Sequence, residues 1–436
     1  MRRAGFAIAG ILFSLIAWAV PPDPRGTPSS RPVLFDDSLA PPPDHPAIGY
    51  FDYVRPLRDP VSVLNRKIQQ GTAQLRFEER AGYLRSVLRA LDVPLESQIA
   101  VFSKTSLQTE RIEPANPRTI FFNDSVAVAW VRGGFIELAS VEPEQGVIFY
   151  MLEQHPAAKP EFIRRDDCLR CHISEISLSV PGMMIRSRYT APDGMQRLVF
   201  GGYTTDHRSP LEERWGGWYV TGSAGSARHM GNAMVVDEEH PEAMVTPQTL
   251  HSASLEGEFD TGAYLSPYSD IAALMVFNHQ MHMTNLLTRM GWEIRAALHD
   301  KRKPAGLLRD GAKELVDYLL FVEEAPLAGT IRGTSGFAEK FAARGPSDSK
   351  GRSLRQLDLE KRLLRYPCSY MIYSDAFDSL PEPARAAIYG RLWQILSGEE
   401  KDAKYARLSP SDRKAIVEIL RETKKGLPEY FQTAVR

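Results

Sequence analysis

The sequence predicts an α+β fold, an antiparallel β-rich body with a largely helical C-terminal half, and two observations carry that prediction. Residues 98 to 152 hold five short β-branched or aromatic runs, separated by Asn, Asp, Gly and Pro turns. Residues 269 to 436 instead repeat apolar residues at helical spacing.

In chain order, residues 59 to 93 place Leu84, Val87, Leu88 and Leu91 on one stripe, and two short helices are expected there. The strand runs follow: "QIAVFS" (98–103), "RTIFFN" (118–123), "SVAVAWVRG" (125–133), "FIELASV" (135–141) and "GVIFYML" (146–152). Further on, "MMIRSRY" (183–189) and "RLVFGGY" (197–203) read as a hairpin with Asp193-Gly194 in its turn, and "GGWYVTG" (216–222) as one more strand. The longest helical pattern covers 269–298, with Ser269 or Asp270 as its cap. "GAKELVDYLLFVEE" (311–324), "RQLDLEKRLLRY" (355–366), "PEPARAAIYGRLWQIL" (381–396) and "SPSDRKAIVEILRETKKG" (409–426) read as helices. The last of these carries an approximate capping box from Ser409 to Asp412. The Gly- and Ser-rich stretch 332–353 reads as a mobile loop.

Composition narrows the function classes. The 436 residues include 53 Lys and Arg against 54 Asp and Glu, so no global basic field draws the chain to nucleic acid, and none is expected as a partner. Residues 1–19 run from Arg2 and Arg3 through an apolar stretch to Ala17-Trp18-Ala19, the pattern of a secretory signal peptide. Membrane contact follows only if that segment stays uncleaved as an anchor. A Pro-rich linker is expected over 20–58. With three cysteines in an exported chain, a disulfide framework is not the expected use.

Two of those cysteines and a histidine fall in "CLRCH", Cys168, Cys171 and His172. Cys-x-x-Cys-His is the attachment signal of c-type haem: two thiols on one turn bond the haem vinyl groups, and the next histidine reaches the iron as proximal ligand. A zinc site with Cys368 is a rival, although Cys368 stands alone where a finger needs a second close pair. A thioredoxin-like dithiol is another, but it should open a helix within a βαβ unit, which is missing here. The expected regions are therefore 59–165, a helix pair with the β-sheet; 166–268, the haem-attachment region with its hairpins; and 269–436, helical.

A distal iron ligand is sought among His279 and His282, three apart on one helix face, His229 with Met230, His207, and Met183 and Met184. "TTDHRSPLEERWGGW" also places His207 beside Arg208. Peroxide cleavage on haem uses a base and a cation of these types, so the two are candidate catalytic groups.

The CxxCH segment resembles cytochrome c attachment sites, and "TTDHRSPLEERWGGWYVTGSAG" with "NHQMHMTNLLTRMG" resembles large exported bacterial proteins described only as cytochrome c domain-containing. The resemblance implies haem c as cofactor on Cys168, Cys171 and His172, and it brings no known activity. Size and the β-rich stretch before the motif set the chain apart from small soluble cytochromes. The expectation is an exported, periplasmic haem protein transferring electrons to a partner of unknown identity. The alternatives are a haem enzyme, peroxidase-like or another oxidoreductase, with an open distal position, and a structural zinc or gas-sensing module.

Overall fold

Asp59 starts the first helix: its carboxylate accepts the N–H groups of Val61 and Ser62, and Pro60 fills the first helical position, where no donor is needed. The helix it opens, α1 (Pro60–Gln69), and α2 (Leu84–Ala90) are the expected pair. The computed structural model describes residues 40–433, so the expected signal peptide and the first half of the linker lie outside the described residues.

The five runs form β1 (Ile99–Val101), β2 (Arg118–Phe122), β3 (Val126–Trp130), β4 (Ile136–Glu142) and β5 (Gly146–Leu152), each antiparallel to the next. Next come β6 (Ile163–Arg164), the short helix α3 (Leu169–His172), β7 (Arg186–Arg188), β8 (Gly202–Thr204) and β9 (Trp218–Tyr219). Strand β6 extends the sheet beside β5, and β9 closes its other edge beside β1, giving the order β6-β5-β4-β3-β2-β1-β9. Strands β7 and β8 pair as the expected hairpin, with a shorter ladder than the sequence suggests. "LVF" (198–200) turns away as a helical turn, leaving Leu198 and Val199 exposed.

Register gives the sheet two faces. Ile120, Ala129, Glu137 and Met151 stand in one cross-strand row, and Phe122, Ala127, Ala139 and Phe149 in a second on the same side. Phe121, Val128, Leu138 and Tyr150 line the other side, where the Tyr150 hydroxyl donates to Asp59 (2.8 Å) and Ser140 accepts from Val61 of α1. The first face meets α4 (Ile271–His299), whose Phe277 ring lies 4.7 Å from that of Phe122.

Asp270 caps α4. Only His282, Arg295, Leu298 and His299 of its residues escape burial, as expected of a helix apolar on every side. Its interior polar groups must then find partners, and much of the site is organised by those partners. The C-terminal half adds α5 (Ala305–Leu319), α6 (Phe337–Ala343), α7 (Asp375–Asp378), α8 (Glu382–Leu396) and α9 (Pro410–Thr423), the last opened by the Ser409–Asp412 capping box. The main apolar core runs from Ile48 to Phe431. Among the described residues, no helix is long and apolar enough to cross a membrane.

Two expectations need correction. Residues 355–366 are not a helix: Leu357 bridges to Leu364, Leu359 has φ +59°, and Asp358 takes the N–H groups of Glu360 and Lys361. The leucines reach the core by this route, and the Asp358 side chain replaces helical acceptors. The stretch 332–353 contains α6, with Phe337 and Phe341 buried, and Asp270 accepts from the N–H groups of Thr334 and Ser335. It is packed structure rather than a free loop.

Candidate functional site

The Cys168–His172 segment leaves the sheet at β6 and is fixed by charge. Arg164 bonds Asp166 (2.8 Å) and lies over the rings of Tyr50 and Tyr53, and Arg165 bonds Asp167 (2.6 Å). A 3-10 turn runs into α3, and a capping box between Ser174 and Ser177 turns the chain back. The return brings the Gly182 N–H to the His172 carbonyl (3.0 Å) and the Gly182 carbonyl to Nδ1 of the same histidine (2.8 Å).

A carbonyl only accepts, so Nδ1 of neutral His172 carries the proton and Nε2 keeps its lone pair. Burial, reinforced by the charges of Arg118 and Arg186, holds this imidazole below its ordinary pKa and therefore neutral. Asn285 of α4 fixes the adjoining backbone, accepting from Met183 N–H (3.1 Å) and donating to Met183 C=O (2.8 Å). Position 182 admits only glycine without displacement, since a Cβ there would lie 2.2 Å from the Asn285 oxygen.

His172 lies against Phe149, ring centroids 4.6 Å apart, at the wall of a cavity of about 410 Å3. That volume is within the range of small-molecule and cofactor sites, roughly 300–1,000 Å3. The cavity lies on the alanine-bearing face of the sheet: Ile120, Ala127, Ala129, Ala139 and Phe149 line it together with Phe277. Three alanines at adjacent inward positions, Ala127 and Ala129 on β3 and Ala139 opposite Ala127 on β4, leave the space that larger side chains would fill. Cys168, half-buried, and Cys171, exposed, line the same cavity as free thiols, and so do Met151, Met183, Met184 and Trp218.

No protein-family model, no curated protein and no solved structure matches this chain. Its chemistry is therefore read from the site.

The Cys168 thiol is pushed up to about 12 by burial, with Asp167 and Glu137 adding to the shift. A reactive dithiol needs the opposite, a thiolate favoured near neutral pH. Cys368 is fully buried and is not part of the cavity wall. Among the described residues, the one cluster of three or more His, Cys, Asp or Glu with converging ligand atoms is His45, His299 and Asp300, which excludes the motif.

The remaining candidates lie elsewhere. His207 and His279 meet each other, Nδ1 to Nδ1 at 2.8 Å, buried between Tyr318 and Phe321, with His279 Nε2 2.7 Å from the Ser369 hydroxyl. Arg208 is paired with Asp206, lies over Tyr318 and approaches His282 Nε2 at 3.3 Å. His229 packs on Trp215 and accepts from Gly231 N–H, while Met230 joins Ala233, Val235 and Met244 in a small separate core. None of these six residues lines the cavity, nor does any residue of 332–353. Lys104, Arg118 and Arg186 stand in the wall without any local motif to mark them, unlike the histidines. The visible clue was "VAVAW", a strand whose inward positions are alanine.

Proposed function

We propose that this chain is an exported c-type haem protein, with one haem joined to Cys168 and Cys171 and ligated by His172, that passes electrons in the bacterial periplasm. The observation that carries the reading is the His172 imidazole with Nδ1 held by the Gly182 carbonyl, at the wall of an apolar cavity that both thiols share. Metal-bound histidines commonly donate their second ring N–H to a carbonyl in this way. The residues fit the group: each thiol would add its S–H across one vinyl, Nε2 of His172 makes no hydrogen bond among the described residues and would be left to ligate the iron, and the alanine-lined face would accommodate a flat ring. Bound haem supplies a one-electron iron couple. The chain's own part is to fix the imidazole's tautomer and to exclude water with the sheet face and Phe277. The export pattern of residues 1–19 agrees with haem attachment outside the cytoplasm.

One observation favours a second reading, a haem enzyme or gas-sensing module with an open iron position. Among the described residues, His172 is the only imidazole lining the cavity, and only Met151, Met183 and Met184 add sulfur beyond the two thiols.

The full chain expressed with haem-maturation machinery separates these readings. Haem that survives acid-acetone extraction from the wild type and is lost in Cys168→Ala/Cys171→Ala supports the proposal, and freely extracted haem from the wild type refutes it. A low-spin spectrum indifferent to cyanide, carbon monoxide and peroxide supports electron transfer. A high-spin iron that binds them supports the open site.

A further inference from the structure

We infer that Arg186 and Lys104 form an anion-recognition pair in the cavity and that its ligand presents two carboxylates to them; the inference rests on the haem reading and deepens it. The cavity wall carries the cations Lys104, Arg118, Arg165 and Arg186 and the anions Glu137 and Asp167. Arg118 is bonded to Glu137 at 3.0 Å and Arg165 to Asp167 at 2.6 Å, so both anions are taken. Arg186 and Lys104 are left, and among the described residues neither side chain has an ion pair or hydrogen bond. The Arg186 Nε is buried without an acceptor.

A buried donor with no acceptor and a surplus of two positive charges beside an apolar floor are both unfavourable, and a ligand carrying two carboxylates relieves both. Both positions are held in place. Arg186 stands on β7 with its carbonyl accepting from the Trp218 indole (2.9 Å), and Lys104 is tied through its backbone to Gly194 (3.0 Å) and Gln196 (3.1 Å). The two propionates of haem match this surplus in number, and a free aromatic dicarboxylate shares the chemistry.

The test uses the full chain carrying Cys168→Ala and Cys171→Ala, so that binding is reversible, titrated optically with ferric haem and with haem dimethyl ester. Haem is expected to bind more tightly than its diester. Arg186→Gln and Lys104→Gln are each expected to weaken haem by about 10-fold or more, the size of a charge-assisted hydrogen bond, with diester affinity unchanged. Arg186→Lys should recover part of the loss, and unchanged thermal melts show that the variants fold. Equal binding of haem and diester, unaffected by either substitution, overturns the inference and leaves the haem reading standing. If neither binds, phthalate becomes the probe, and the haem reading stands or falls on acid-acetone extraction of the wild type. Phthalate binding that Arg186→Gln abolishes keeps the pair as a dicarboxylate site, and no phthalate binding ends the inference.

Discussion

Replacing Asn285 with alanine tests whether α4 builds the site from a distance. The Asn285 amide is buried and makes both its hydrogen bonds to one residue, Met183, whose N–H and C=O lie 3.1 and 2.8 Å away. Truncation leaves a buried backbone donor and a buried acceptor without partners, at about 1–3 kcal/mol each, so Asn285→Ala should destabilise the fold by roughly 2–6 kcal/mol. The effect should not stop at stability, because Met183 follows the carbonyl that fixes His172 Nδ1. Urea unfolding followed by tryptophan fluorescence measures the first consequence, provided the slope against denaturant is unchanged. The yield of covalent haem per folded protein measures the second. Gly182→Ala should reproduce both, because its Cβ would collide with the same amide. A stability loss below about 1 kcal/mol with full haem loading would mean that water or a relaxed backbone satisfies Met183 and that α4 does not hold the site in place.

Three further outcomes follow from the same structure. Burial, and the neighbouring imidazole in the case of His207, keep His207 and His279 below the ordinary 6.5, His279 at about 3, against the opposing pull of Asp206. The unfolded chain therefore binds protons that the fold refuses, and stability should fall as pH drops from 7 to 5, approaching roughly 1.4 kcal/mol per unit for each such imidazole. His279→Gln should flatten that slope, and a urea midpoint constant over this range in the wild type would contradict the burial argument. Ala129→Leu, on the cavity face, should cut haem incorporation by about 10-fold or more while leaving the melting temperature near or above wild type, since it fills space instead of opening it; undiminished loading would place the ligand elsewhere. Asp270→Ala removes the acceptor for Ala272, Ala273, Thr334 and Ser335, so it should cost at least about 2 kcal/mol and open residues 332–336 to limited proteolysis. Unchanged proteolysis there would show that Phe337 and Phe341 alone hold the segment.

The strands were legible because each is a short run cut by turn residues, and β1 to β5 fall where those runs do. The leucines of 357–364 misled because their spacing records only that they are buried. A helix and an irregular chain pinned by Asp358 bury them equally well.

By itself the sequence determined the α+β class, the start of α4 at a cap of Ser269 or Asp270, and the presence of one dense chemical motif, Cys168, Cys171 and His172. Those are local properties, written in periodicity and in spacing along the chain. Tertiary structure alone decided which side chains share a space with that motif. Strand register puts three alanines and Phe149 on one face, and a chain reversal sets Gly182 against His172. The buried α4 turns Asn285 toward Met183 and carries His279 to His207, away from the cavity. Contacts of this kind depend on the pleat and on which face of α4 meets the sheet, and a linear spacing contains neither.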